Sequence, residues 1–246
     1  MFDFFKNRNK DKSEVEVKTD KPTINLSKLD LRKKEVSSIC LEKKELNNLT
    51  SRVALVLDFS GSMGELYRNG TVQDVVERIF PLALQFDDNG ELDLWIFENG
   101  FKRLDSVNMS NIYGYIDKIY KKYNMGGTCY APVMKDVTKK YLKEESSKLP
   151  NYVIFITDGD NSDRTKTEEL IKDISSEPIF WQFVGIGYES FDTLERLDKM
   201  NGRVVDNANF FEIEDINSIS DKELYNKLLN EYPNWLKVAR EKNILK

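Results

Sequence analysis

A carboxylate and two hydroxyls leave the end of one apolar run together: Val53-Ala54-Leu55-Val56-Leu57 is followed at once by Asp58-Phe59-Ser60-Gly61-Ser62. Oxygen donors at alternate positions on a turn begin a divalent-cation site, because Mg²⁺, Mn²⁺ and Ca²⁺ are hard ions that prefer oxygen ligands. A second apolar run, Ile154-Phe155-Ile156-Thr157, delivers another carboxylate at Asp158, and Gly126-Gly127-Thr128 offers a further hydroxyl between them. Gly, Ser and Asp are also ordinary turn and helix-cap residues after a strand. For Asp-x-Ser-Gly-Ser alone either reading serves; Thr128 and Asp158, at equivalent places in the pattern, favour the ion.

Asp-x-Ser-x-Ser with a remote Thr and a remote Asp resembles the metal-ion-dependent adhesion site of von Willebrand factor A-type domains. The resemblance implies that Ser60, Ser62 and Thr128 hold the ion directly while Asp58 and Asp158 act through water or move between shells. Mg²⁺ is the expected ion, with Mn²⁺ and Ca²⁺ as alternatives. An ion held largely by neutral hydroxyls stays electrophilic, so it favours an anionic further ligand, here an Asp or Glu of a protein partner. The segments Ile24-Asn25-Leu26-Ser27-Lys28, Leu41-Glu42-Lys43-Lys44 and Arg52 to Met63 are similar to TerF-like bacterial stress-response proteins of the tellurium-resistance group. This implies a non-enzymatic, metal-dependent interaction module inside a bacterium, over roughly residues 51–240. Met63, Glu65, Tyr67, Tyr130 and Asp160 are candidates for a partner-reading rim, with local packing as the alternative for the aromatics and the methionine.

The elements that must position these residues alternate. Val72, Val75, Val76, Ile79 and Phe80 recur at helical spacing after the Asp58 turn, and Pro81 should kink or shorten that helix. Leu92 to Phe97 reads as a strand, and Asn99-Gly100 before Phe101 signals a hairpin. Helices are expected over 112–123, 131–143, 165–174 and 191–200, strands over 179–186 and 210–213, and a final helix from about Asp221 carrying Leu224, Leu228, Leu229 and Leu236. The pattern predicts an α/β fold: a doubly wound, mostly parallel sheet with one antiparallel edge strand and helices on both faces. In such sheets ligands bind beyond the carboxyl ends of the strands, where strand order reverses. Ahead of this domain, residues 1–22 read as a flexible leader and 23–50 as short elements packing on the domain, and 241–246 as a C-terminal tail.

Composition narrows the chemistry. The 246 residues include no histidine, which removes Ser-His-Asp and Cys-His nucleophiles, His-ligated zinc and imidazole bases together. A net charge of −5 provides no basic field for nucleic acid. The two cysteines, Cys40 and Cys129, lie far apart without metal-ligand spacing and read as reduced thiols of a cytoplasmic protein. No stretch approaches the ~20 apolar residues of a membrane span. Gly185-Ile186-Gly187 lacks the third glycine of a dinucleotide loop and reads as a strand-end turn. The competing function is Mg²⁺-dependent phosphoryl transfer of the haloacid-dehalogenase type. That chemistry needs a second aspartate two positions after the first, where this chain has Ser60. An accessory role in an ATPase- or chelatase-type complex is a further alternative, since the chain has no Walker loop of its own.

Overall fold

The computed structural model describes residues 21–245. Six strands form one sheet in the order β3-β2-β1-β4-β5-β6. They are β1 (Arg52–Asp58), β2 (Asp93–Phe97), β3 (Phe101–Arg103), β4 (Asn151–Thr157), β5 (Ile179–Ile186) and β6 (Ala208–Ile213). All neighbours are parallel except β2 and β3, which form the expected antiparallel edge hairpin across Asn99-Gly100. Nearly every residue of β1, β4 and β5 is buried, as central parallel strands with both faces covered must be.

Alternation along the strands feeds two cores. Val53, Leu55 and Leu57 face one layer with Tyr152, Ile154 and Ile156; Ala54 and Val56 face the other with Val153 and Phe155. The first layer is covered by α1 (Lys21–Glu42), α3 (Thr71–Phe86), α4 (Tyr115–Lys122), α8 (Asp221–Leu228) and α9 (Tyr232–Glu241). The second is covered by α5 (Ala131–Lys139), α6 (Arg164–Asp173) and α7 (Asp192–Asp198), while α2 (Gly64–Arg68) is a single turn after the Ser60 loop.

Several expectations need correction. The segment before β1 is one 22-residue helix followed by a short 3₁₀ turn, not a set of short elements, and it starts at Lys21, inside the expected leader. Its buried side chains Leu29, Arg32, Val36, Ile39 and Cys40 do follow a helical period, but Leu31 and Leu41, 63% and 72% exposed, break the pattern in sequence. The rest of the leader lies outside the described residues. Pro81 does not stop α3, which runs on to Phe86. The lost hydrogen bond and ring clash cost about 3 kcal/mol, and burying Leu82, Ala83 and Phe86 on the core side offsets it. The final helix is two, because Pro233 has no N–H to carry the ladder back to Leu229 and its ring suits only the first turn of a new helix, α9. The helix from Ala131 gives way at Lys140 to a wider π turn over Lys140–Glu144. Lys140 in this turn is buried between Asp93 (3.1 Å) and Glu145 (2.8 Å). Of the tail, Leu245 is buried in the first core.

Candidate metal centre

The strand order reverses between β1 and β4, which are adjacent and parallel. Asp58 ends β1 and Asp158 follows the last residue of β4, so both carboxylates stand at the crevice where such sheets bind ligands. From there a chain of short contacts crosses the crest. The Ser60 backbone N–H donates to Asp58 Oδ1 at 2.7 Å, Ser60 Oγ lies 3.0 Å from Ser62 Oγ, and the Ser62 hydroxyl donates to Asp158 Oδ1 at 2.9 Å.

Asp58 is fully buried, and both of its oxygens are engaged. Thr157 Oγ1, at the end of the neighbouring strand, donates to Asp58 Oδ2 at 2.6 Å. Burial pushes the Asp58 carboxyl up to about 6, against the hydrogen bonds from Ser60 and Thr157, which hold it down, and with the charge of Asp158 adding to the rise. Asp158 is also raised, by burial first, and Glu189 adds to the effect. A cation placed between the two carboxylates would relieve both.

The third loop is built to approach closely. Ser60 and Gly126 form an isolated parallel bridge, with the Gly61 N–H on the Gly126 carbonyl at 3.0 Å and the Gly126 N–H on the Phe59 carbonyl at 3.3 Å. At Gly127 a Cβ would sit 2.5 Å from Asn99 Oδ1, so this loop lies close against the hairpin turn and any larger residue would have to displace the Asn99 side chain. Thr128 is held through its carbonyl, which accepts from the backbone N–H and the hydroxyl of Ser162, both at 3.0 Å. Among the described residues no hydrogen bond joins the Thr128 hydroxyl to Ser60, Ser62 or either aspartate, so Thr128 stands beside the linked group rather than within it. Cys129 is half-buried, not enclosed, with its thiol 3.1 Å from Ser162 Oγ.

The expected rim is mostly interior. Met63, Tyr67 and Tyr130 are buried, and their roles are structural. The Tyr67 hydroxyl donates to the Asp58 carbonyl at 2.8 Å, and the Tyr130 hydroxyl donates to the Gly159 carbonyl and lies 3.3 Å from Thr157 Oγ1. Both phenols are pushed far up by burial. Large aromatic side chains beside a polar crest are thus buttresses under it. Asp160 is paired with Arg164 at 2.6 Å and accepts from the Thr193 N–H. Of the five rim candidates Glu65 alone is exposed, and it pairs with Arg68 at 2.8 Å.

Sequence reasoning missed Thr157, Ser162 and the bracing role of Asp163. Asp163 precedes α6 and reads locally as the cap of that helix, yet it makes no side-chain cap there. Its two oxygens accept instead from the backbone N–H groups of Tyr130 and Ala131 at the start of α5, each at 2.9 Å. The Asp158 and Thr128 loops are thereby tied into one piece.

The donor set fits a hard divalent ion: hydroxyl and carboxylate oxygens converge at the crest and soft donors do not. Among the described residues no three His, Cys, Asp or Glu side chains gather into an alternative metal cluster. A six-stranded sheet in this order, with its switch point between the first and fourth strands, is the frame of doubly wound α/β domains, among them the von Willebrand factor A-type domains, a class whose members are commonly metal-dependent interaction modules. The chain belongs to the vWA-TerF-like family, the vWA found in the TerF C terminus, whose model matches residues 50–245. It is 50% identical over 225 residues to the uncharacterized protein YcbR of Bacillus subtilis, covering 90% of this chain and 91% of that one. Among solved structures it is similar to the SpRpn10 VWA domain, with a TM-score of 0.55 at 13% identity, covering 73% of this chain and 95% of that one. It is also similar to manganese-loaded Plasmodium vivax TRAP protein, with a TM-score of 0.50 at 18% identity, covering 67% and 69%. In several other matched structures the chain spans less than half the other protein's length.

Proposed function

We propose that the protein is a non-enzymatic, divalent-cation-dependent protein-interaction module. Ser60, Ser62 and Thr128 would hold the ion, Mg²⁺ first and Mn²⁺ or Ca²⁺ in its place, and Asp58 and Asp158 would tune it. An Asp or Glu of a partner would complete the shell. The observation that carries this reading is the contact chain from Asp58 through Ser60 and Ser62 to Asp158 across the switch point. Asp58 spends both oxygens on protein donors, so the hydroxyls are left to meet the ion and its charge stays largely unneutralised. The manganese-loaded TRAP protein, which shares the fold, supports the same ion class. Kinship with TerF supports a setting in bacterial stress or tellurite resistance.

Calorimetry with Mg²⁺ and Mn²⁺ on the full chain tests the proposal, with Asp58→Ala and the double variant Ser60→Ala, Ser62→Ala alongside and circular dichroism to confirm folding. Saturable binding that is lost in a folded variant is the expected result. A wild type that binds neither ion would leave an ion-independent scaffold and overturn the proposal.

A further inference from the structure

The crest is not symmetric in charge. On the β5 side Glu189 packs beside Gly159, the residue after Asp158, and Asp160 follows it in the same loop, paired with Arg164. On the β3 side a cavity of about 270 Å³ adjoins the site, lined by Phe59, Glu98, Phe101, Lys102, Lys122 and Tyr123 among others. Phe59 stands between Asp58 and Ser60 in the chain, and Glu98 lies against Gly126, so the cavity shares its inner wall with the metal crest.

Lys102 and Lys122 are exposed, and among the described residues neither pairs with a carboxylate. The one acid in the cavity does not answer them: the Glu98 carboxylate accepts from the backbone N–H groups of Asn99 and Gly100, the latter at 3.1 Å, and so closes the hairpin turn. Lys122 lies over the Tyr123 ring, 5.1 Å from its centroid. Lys102 alone would be a lysine guarding an edge strand. Two unpaired lysines from different elements around an aromatic-lined hollow present two positive charges to one anion.

We propose that this cavity is a second anchoring point for the same partner, taking a second acidic side chain beside the carboxylate that meets the ion. The inference rests on the proposed metal-dependent reading. It makes the partner an acidic segment with a direction: its further acid lies toward β3 and α4, away from Glu189.

The test uses the full chain loaded with Mn²⁺ and three synthetic peptides: one with a single Asp among glycines, and two with an additional Glu on either side of it. In calorimetry at low salt, one of the two diacidic peptides should bind roughly fivefold tighter than the single-Asp peptide, the scale of a solvent-facing ion pair. That advantage should shrink at high salt and vanish in Lys102→Gln, Lys122→Gln, with Mn²⁺ affinity unchanged. An advantage that survives in the lysine variant, or no advantage for either diacidic peptide, overturns the cavity as subsite while leaving the metal reading intact. Mn²⁺ binding without any affinity for the single-Asp peptide strikes the carboxylate-partner reading itself and the subsite with it.

Discussion

Asp163 caps a helix other than its own: standing directly before α6, it accepts the backbone N–H of Ala131, the first residue of α5, at 2.9 Å. A carboxylate there satisfies orphan donors at the positive end of the helix. With Ser162 on the Thr128 carbonyl, it fixes how far Thr128 stands from Asp158. Groups that bond a ligand side chain directly are typically worth 10–100-fold in metal affinity, and Asp163, acting through the backbone of the next loop, belongs at the low end. Asp163→Ala should therefore weaken Mn²⁺ binding by about tenfold, and Asp163→Asn, which keeps one acceptor, should fall between. An equally destabilised core variant such as Ile171→Val should bind as wild type; calorimetry on all three checks this.

Thr157 is the buried partner of the Asp58 carboxylate. Thr157→Val keeps the shape and removes the donor, leaving a buried acceptor short of one bond, which costs about 1–3 kcal/mol. The metal-free variant should show that loss in urea unfolding, and Mn²⁺ should restore part of it by binding the folded state.

Asp87 gives the stability a pH dependence away from the crest. It ends α3, accepts from the Val53 N–H at 3.1 Å, and burial pushes its carboxyl up to about 6. A carboxyl raised in the folded state contributes stability at low pH that is lost as pH rises through the folded value. Relative to wild type, Asp87→Asn should gain stability between about pH 4 and pH 6 and change little above about pH 7. Urea unfolding across that range reads the effect; an unchanged difference would show that the group titrates normally.

Arg78 is buried and donates to Asp221 at 2.7 Å and to the carbonyls of Ile216 and Ile219, each at 2.6 Å. Arg78→Met fills the space but strands two buried carbonyls, while Asp221 keeps Arg32 as its partner. It should cost about 2–4 kcal/mol, seen as a lower denaturation midpoint without loss of Mn²⁺ affinity in the folded fraction.

The fold was legible where burial is two-sided. The span 179–186 is read as a strand and is one, because β5 is apolar throughout and bounded by turn residues. The carboxyl-end placement of Asp58 and Asp158 follows from the same runs. What escaped depends on partners distant in sequence. Helix α1 hides its period because its off-phase leucines face outward, and no local signal shows which helix Asp163 caps. Tyr67 and Tyr130 read as either rim or packing residues because their chain neighbours belong to an exposed crest; their rings insert beneath it. Ser60, Ser62 and the two aspartates stand out through residue type and order; Thr157 looks like one more β-branched strand residue until its hydroxyl is seen to face Asp58.

Arg32 on α1 reaches both Asp74 on α3 and Asp221 on α8, each at 3.0 Å, and Lys43 donates to the Leu229 carbonyl at 2.9 Å. The family match begins at residue 50, but the unit that folds does not. Cutting at that boundary would strip Leu29, Val36 and Ile39 from the core and leave a greasy scar across α3 and α8. For grafting this A-type domain onto another protein, the leading helix is part of the piece to be moved, and a join made at residue 50 would cut through the core.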